Sequence, residues 1–448
     1  MSRPPSTPAV RTPAAAGGLS TQSHRVDGHD VHEHVLTVPL DRSGVLPGTV
    51  EVFAREYVRD AAKPWLVFFQ GGPGNPANRP EVVGGWLDRA LEDHRVVLLD
   101  QRGTGRSTPL DAQSLGEVGD AAAQAAHLAH FRADAIDADA EDLRVKLTGG
   151  APWTVLGQSY GGFCTTTYLS QAPHGIREAL VTAGLPGLRT TADDVYRATY
   201  AQTLRRNEEY FARYPRDEAV ARAVAVHLEH EAEPLPTGER LSARRFATLG
   251  AGLGQVSGFD ALHFLLEDPF TTVGGTRRLR QRFLGAVGRQ LSFAPHPLYA
   301  VLHESIYAQG PATGGAVDWA AHRVRDEFPE FSLDAPDAGG PFRFTGEHVY
   351  PWQFEEDPAL VPLRGAAELL AARADLPVLY DPDVLARNEV PVAAAVYVDD
   401  MFVPFRFSEQ TAREVAGTRT FVTNEYQHDG LRMDGRRLLD VLWGLLRR

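Results

Sequence analysis

The sequence predicts an α/β fold in which a mostly parallel β-sheet is flanked by helices. Continuous apolar runs recur at 64–70, 94–100, 153–157 and 178–184. Such runs are typical of strands that are buried on both faces, as in a parallel sheet covered by helices. The stretch 131–150, between the second and third runs, has a helical pattern that ends in two glycines.

A long segment interrupts this strand pattern after six predicted strands, namely an opening antiparallel pair and the four apolar runs. Residues 189–351 are rich in charged, helix-favouring residues and show no comparable strand signal. We expect them to form a mostly helical cap inserted into an α/β core made of 30–188 and 352–448. The arginine-rich stretch 276–282 is predicted to be a solvated helix face. The proline-, alanine- and serine-rich residues 1–29 are predicted to be a disordered tail.

Composition narrows the possible partners and locations. The 45 basic and 58 acidic side chains give a formal charge of −13, which disfavours nucleic acid or an anionic membrane as the main partner. No apolar run reaches the ~18 residues of a membrane span, and the N-terminal residues lack the apolar centre of a signal peptide. Cys164 is the single cysteine, so no intrachain disulfide can form and a cytoplasmic location is expected.

No cofactor or metal ion is expected from the sequence. It contains neither an HExxH motif nor a P-loop. The four histidines between positions 24 and 34 do not have a recognised metal-ligand spacing.

The stretch "VLGQSYGGF" predicts a nucleophile at Ser159. This serine lies between Gly157 and Gly161 directly after an apolar run, and such small neighbours allow a tight strand-to-helix turn that exposes the hydroxyl. A serine needs a base within hydrogen-bond reach, and an acid and then a histidine follow such a serine along the chain. Residues of both types occur in that order after the last two predicted strands, at 399–400 and at His428.

Three motifs resemble those of the proline iminopeptidases, which are serine peptidases of the α/β-hydrolase fold that remove an N-terminal proline from peptides. They are "GGPG" (71–74), "DQRGTGRS" (100–107) and "GQSYGG" (157–162). The resemblance extends from about residue 35 to the end and is strongest for the longer bacterial branch. The later motifs that carry it are "LHESIYAQG" (302–310), "AAVYVDDMFVP" (394–404) and "TNEYQHDG" (423–430).

The resemblance implies a catalytic triad of Ser159, His428 and an aspartate. Both Asp399 and Asp400 are candidates, and neighbouring strand residues face opposite sides. Acids in this superfamily are often followed four positions later by proline, as Asp400 is by Pro404. Asp400 is therefore the predicted acid, which would orient and stabilise the imidazolium. Asp399 is then a solvated or turn-capping residue.

An oxyanion hole and an amine-binding acid complete the site that the resemblance implies. The predicted oxyanion donors are the backbone N–H groups of Tyr160 and Gly72, with Gly71 as the second choice for the latter. Gln70 stands where the family pattern has histidine, which leaves these backbone donors unaffected. Glu304 resembles the family glutamate that binds the free N-terminus, and a carboxylate in a partly dry pocket suits that role.

Two further residues are predicted to contact the substrate, Glu355 as a second acid and Phe354 as part of an apolar slot for the proline ring. The implied activity is release of N-terminal proline from peptides by a serine exopeptidase. The alternative is another serine hydrolase on the same fold, such as an esterase, an amidase or an aminopeptidase of different preference. A scaffold protein without catalysis would show a damaged triad or missing oxyanion glycines, and the sequence shows neither.

Overall fold

The computed structural model describes residues 17–332 and 341–447. The strands are β1 (Leu19–Val26), β2 (His29–Pro39), β3 (Thr49–Val58), β4 (Trp65–Phe69), β5 (Arg95–Leu99), β6 (Trp153–Gln158), β7 (Ile176–Thr182), β8 (Phe270–Val273), β9 (Thr276–Leu279), β10 (Val392–Tyr397) and β11 (Thr418–Thr423). The α-helices are α1 (Gly85–Ala90), α2 (Ala112–Gly116), α3 (Ala121–Leu128), α4 (Ala133–Thr148), α5 (Tyr160–Gln171), α6 (Ala192–Arg213), α7 (Asp217–His230), α8 (Ala243–Ala247), α9 (Gly258–Leu266), α10 (Gln281–Leu291), α11 (Pro297–Leu302), α12 (Ala320–Arg325), α13 (Gln353–Glu356), α14 (Arg364–Ala371), α15 (Pro382–Leu385), α16 (Phe405–Glu414) and α17 (Gly430–Leu446).

Nine strands form one sheet in the order β1-β2-β3-β5-β4-β6-β7-β10-β11. The pairs from β1 to β5 are antiparallel, and all pairs from β5 to β11 are parallel. Alternate residues of β4 enter different apolar clusters: Leu66 and Phe68 pack with α1 and α17, whereas Val67 and Phe69 pack with α4 and α5. Both faces of the sheet are therefore covered around β4, and a mostly parallel sheet flanked by helices confirms the predicted α/β fold.

The segment proposed as the cap, 189–351, contains α6 to α12 and the antiparallel hairpin of β8 and β9. The chain enters it after β7, which the sequence analysis counted as the sixth strand because β1 was not included. An apolar cluster with members from Tyr210 to Phe344, here called the cap cluster, forms its interior. Phe402, which follows β10, also packs into the cap cluster.

The structure corrects the length of the predicted N-terminal tail. Leu19–Val26 forms β1 and pairs antiparallel with β2 along its whole length. Thr21 Oγ1 also lies 2.9 Å from His34 Nδ1. Residues 1–16 lie outside the described part of the chain.

The prediction that the arginine-rich stretch 276–282 forms a helix face is wrong. This stretch spans β9 and the first residues of α10. Gly274 and Gly275 have φ values of 56° and 81° and form the two-residue turn between β8 and β9. Two consecutive glycines are typical of such hairpin turns, so this pair is a hairpin signal within a segment predicted to be mostly helical.

Membrane-spanning helices were also sought in the described ranges. None of the helices there has both the length and the apolar character needed to cross a bilayer.

Candidate active site

Ser159 lies in the turn that joins β6 to α5, with φ 56° and ψ −124°. Few residues other than glycine adopt a positive φ, and such strain is concentrated at functional sites. The turn packs so closely on β4 that a Cβ atom on Gly161 would lie 2.0 Å from the Phe69 carbonyl oxygen. A Cβ atom on Gly157 would lie 2.3 Å from the Gly161 carbonyl oxygen. The two glycines are therefore required for this turn, as the sequence predicts.

His428 and Asp400 form a hydrogen-bonded pair, with 2.8 Å between His428 Nδ1 and Asp400 Oδ2. Because an ionised carboxylate only accepts, Nδ1 carries the proton in this pair and Nε2 is left as the acceptor. Asp400 is 3% exposed, and its Oδ1 accepts the backbone N–H groups of Phe402 at 2.8 Å and Val403 at 3.0 Å. These bonds fix the carboxylate against the imidazole.

Asp399, the neighbouring candidate, does not contact His428. Its carboxylate forms an ion pair with Arg205 of α6, and its carbonyl oxygen accepts from Gln202 at 2.9 Å. The structure thus brings Asp400, and not Asp399, to the histidine.

The pKa of His428 is raised above its ordinary value. Burial by itself disfavours the charged imidazolium, but the negative charge of Asp400 and the hydrogen bond to it outweigh burial. The charges of Glu347 and Asp429 act in the same direction.

The loop that carries His428 is hydrogen-bonded to the segment proposed as the cap. The His428 backbone N–H donates to the Gly254 carbonyl oxygen at 3.0 Å. A Cβ atom on Gly254 would lie 2.2 Å from the Phe402 ring, and that ring meets the His428 imidazole edge-on with 4.8 Å between centroids. The backbone at Gly254 therefore packs directly on His428 and on the turn that follows Asp400.

Ser159, His428, Gly71 and Gly72 line one cavity of about 400 Å³. Ser159 follows β6, His428 follows β11, and the two glycines follow β4. In open α/β sheets such sites form outside the carboxyl ends of the strands. The fold thus gathers residues that are far apart in sequence at one edge of the sheet.

The 71–74 loop passes against Ser159 so closely that Gly71 has no space for a side chain. A Cβ atom on Gly71 would lie 2.5 Å from Gln158 Oε1 and 3.0 Å from Ser159 Cβ. Gly72 has φ 149°, a conformation that L side chains rarely adopt. Gln101 Nε2 donates to the Gln70 carbonyl oxygen at 2.9 Å and holds the start of the loop. Backbone amides can therefore approach a substrate here, with the first amide of α5, that of Tyr160, next to the serine.

Glu304 is buried and does not line the cavity. Its two carboxylate oxygens accept the backbone N–H groups of Ala320 at 2.9 Å and Ala321 at 2.8 Å, at the start of α12. Burial raises the pKa of this carboxyl to about 8, although the two amide hydrogen bonds oppose that change.

The structure places the other two predicted substrate contacts away from the cavity. The Glu355 side chain is 45% exposed and forms an ion pair with Arg364 at 3.0 Å. Phe354 is 1% exposed and packs edge-on against Trp319, with 5.5 Å between ring centroids. Neither residue lines the cavity that contains Ser159.

Glu347 is a cavity residue that the sequence analysis missed. It lines the cavity together with Ser159 and His428, and Tyr299 Oη donates to its Oε1 at 2.5 Å. Glu347 lies between α12 and α13 in a segment without regular secondary structure, so no periodic pattern marks it in the sequence.

Glu347 and Glu304 act on the same aromatic groups. Burial raises the pKa of the phenols of Tyr196 and Tyr307, and the charges of both glutamates raise it further. Both carboxylates therefore lie near the same two tyrosines, and Glu347 is the one that lines the cavity.

Comparisons with known proteins identify the family. Residues 64–269 match the family model described as the alpha/beta hydrolase fold. A proline iminopeptidase of Aeromonas sobria is 45% identical over 430 residues, which cover 95% of this chain and 98% of that protein. A proline iminopeptidase of Aspergillus aculeatus is 34% identical over 419 residues, or 91% of this chain and 92% of that protein. The solved structure of Rv0554 from Mycobacterium tuberculosis has a TM-score of 0.42 at 14% identity, covering 92% of this chain and 98% of that one. On the two long sequence matches, the chain belongs to the proline iminopeptidase family of α/β-hydrolase-fold proteins.

Proposed function

We propose that the protein is a serine exopeptidase that releases proline from the N-terminus of peptides. One observation carries this proposal: a serine in a strained turn, a carboxylate-bound histidine and the Glu347 carboxylate all line one cavity. The serine and histidine supply acyl-transfer chemistry. The additional carboxylate suits a substrate with a free amine, which an ordinary esterase would not need.

The reaction follows from the arrangement of these groups. Ser159 Oγ attacks the prolyl carbonyl carbon while His428 Nε2 takes its proton, and Asp400 stabilises the resulting imidazolium. The oxyanion is stabilised by the backbone N–H groups of Tyr160 and Gly72. The C–N bond then breaks, His428 gives the proton to the leaving amine, and a water molecule activated by His428 hydrolyses the prolyl ester.

Glu347 is proposed to bind the protonated amine of the N-terminal proline. A charge pair inside a cavity is stronger than one in bulk water, and the hydrogen bond from Tyr299 orients the carboxylate. Glu304, which the family resemblance implies for this role, is the second candidate because it lies near the same two tyrosines, Tyr196 and Tyr307. Recognition of the amine next to the reacting carbonyl would restrict cleavage to the first residue.

The experiment that tests this proposal compares prolyl arylamide with its N-acetylated form. We expect the wild type to cleave only the free-amine substrate. We expect Glu347→Gln to lose about 100-fold in kcat/KM because the ammonium group loses its charged partner, and Glu304→Gln to lose less. Glu355→Gln serves as the matched control and should behave like the wild type.

Each contrary outcome has a distinct meaning. Equal cleavage of the free and acetylated substrates would favour a general serine hydrolase. A larger loss for Glu304→Gln than for Glu347→Gln would assign the amine to Glu304 instead.

The raised pKa of His428 gives a pH prediction. The base must be neutral to accept the serine proton, so kcat/KM should fall as the pH drops through the pKa of His428. Because Asp400, Glu347 and Asp429 all favour the imidazolium, this fall should be centred above the ordinary histidine value of about 6.5. A pH profile of kcat/KM for prolyl arylamide measures it, and a midpoint below that value would contradict the prediction.

We further propose a cytoplasmic location, on the basis of cysteine usage. Cys164 is buried and not in a disulfide, and burial raises the pKa of its thiol. A chain with one unreactive thiol has no need of an oxidising compartment.

A further inference from the structure

Arg432 places a positive charge in the catalytic cavity. It lies in the first turn of α17, four residues after His428, and lines the same cavity as Ser159. Among the described residues that line this cavity, it is the one arginine or lysine. Neither the triad nor the oxyanion hole uses it.

The guanidinium of Arg432 has no hydrogen-bond or ion-pair partner in residues 17–332 and 341–447, although acidic residues surround it in sequence. Other arginines of α17 are paired: Arg436 binds Glu92 at 2.7 Å and also contacts Asp88, and Arg437 binds Glu425 at 2.5 Å. The adjacent Asp429 carboxylate accepts from the Val256 backbone N–H at 3.2 Å. Arg432 thus keeps its charge available to the cavity.

Glu347 and Arg432 give the cavity two opposite charges that do not pair with each other. A carboxylate and a guanidinium that have no ion-pair partner among the described residues, in one cavity of about 400 Å³, are complementary to a small zwitterion. A short peptide has that character, since it carries an ammonium group at one end and a carboxylate at the other.

The catalytic geometry sets the direction in which such a peptide lies. His428 must protonate the leaving amine, so the residue after the proline lies against His428. Arg432 lies four residues after His428, in the first turn of α17, and lines the same cavity. In a dipeptide or tripeptide, the C-terminal carboxylate therefore points toward Arg432, while the proline amine lies at Glu347.

We propose that Arg432 binds the free C-terminal carboxylate of the substrate and makes the enzyme selective for short prolyl peptides. This inference rests on the proposed function and adds the substrate class to it. The planar guanidinium matches a carboxylate with two parallel hydrogen bonds, which a lysine ammonium does only in part.

The test measures kcat/KM for prolyl-alanine and for prolyl-alanine amide with each variant. The quantity of interest is the acid-to-amide ratio, which does not depend on the fraction of folded enzyme. We expect this ratio to be about tenfold higher in the wild type than in Arg432→Gln, the size of a charge-assisted hydrogen bond. The two substrates also differ in their leaving amines. This difference affects the wild type and Arg432→Gln equally, so it cancels when their ratios are compared.

Two further variants sharpen the result. Arg432→Lys should give an intermediate ratio, because it keeps the charge without the planar fork. Arg387→Gln is the control, an exposed arginine outside the cavity, and should keep the wild-type ratio. Raising the ionic strength should lower the wild-type ratio, because the arginine faces solvent.

Two results would overturn the proposal in different ways. If prolyl arylamide and both peptides are cleaved but Arg432→Gln keeps the wild-type ratio, the proposed function stands and the role of Arg432 is wrong. If the wild type cleaves no prolyl substrate, the proposed function fails and the inference fails with it.

Discussion

Ser159→Ala should lower kcat for prolyl arylamide by about 10⁴-fold or more, because the proposed acyl intermediate forms on the Ser159 hydroxyl. The backbone at this position has φ 56°, and alanine has no greater difficulty there than serine. The loss should therefore come from chemistry and not from unfolding. It is measured by steady-state kinetics together with labelling by a fluorophosphonate, which reacts with an activated serine.

The matched control for this variant is Ser170→Ala on the same helix, α5. Ser170 is buried and its hydroxyl accepts from the Asp381 backbone N–H, and it does not line the cavity. It should retain both activity and labelling. Persistent labelling or near-normal turnover in Ser159→Ala would show that another residue is the nucleophile.

Asp400→Asn should lower kcat by about 10⁴-fold, the loss expected when the base is held in the wrong tautomer. Asparagine can present an N–H to His428 Nδ1, which leaves the proton on Nε2, where it blocks acceptance of the serine proton. Asp399→Asn provides a control of identical chemistry one residue away, and should stay within a few-fold of the wild type because its side chain pairs with Arg205. Measuring kcat of both variants with prolyl arylamide shows which aspartate acts with His428.

A larger loss for Asp399→Asn than for Asp400→Asn would reverse the assignment of the acid. Equal thermal unfolding midpoints for the two proteins would exclude a difference in folding as the cause.

The strands of the parallel sheet could be predicted because burial on both faces requires a continuous apolar run in the sequence. The runs around β4 and β5 are apolar at nearly every position, so their pattern needs no knowledge of the neighbouring strands. β1 has no such apolar run. Its side chains are mostly exposed and polar, and it is held mainly by backbone pairing to β2.

The choice between the two aspartates required more than strand alternation. β10 ends at Tyr397, so both Asp399 and Asp400 lie beyond the strand, in the turn. What selects Asp400 is its pair of hydrogen bonds from the backbone of Phe402 and Val403. In the sequence, this choice is indicated by Pro404, four positions after Asp400, and not by strand alternation.

The residues proposed to bind the substrate were the least predictable part of the site. Glu304 and Glu347 are both glutamates of the proposed cap, and neither belongs to a pattern that shows its environment. Which of them lines the cavity depends on how distant segments pack. Glu304 is covered by the first residues of α12, whereas Glu347 is reached by Tyr299 from α11. Only the folded arrangement distinguishes the two.

The hydrogen bond between the His428 backbone and Gly254 has a consequence for how this family can diversify. Because the proposed cap shares a backbone hydrogen bond with His428, we expect that it cannot be exchanged as an independent module. A chimera carrying a relative's cap would need to keep a glycine at the position of Gly254, where the Phe402 ring leaves no space for a side chain. Substrate range can thus evolve by changes along the cavity wall more readily than by replacement of the whole insertion.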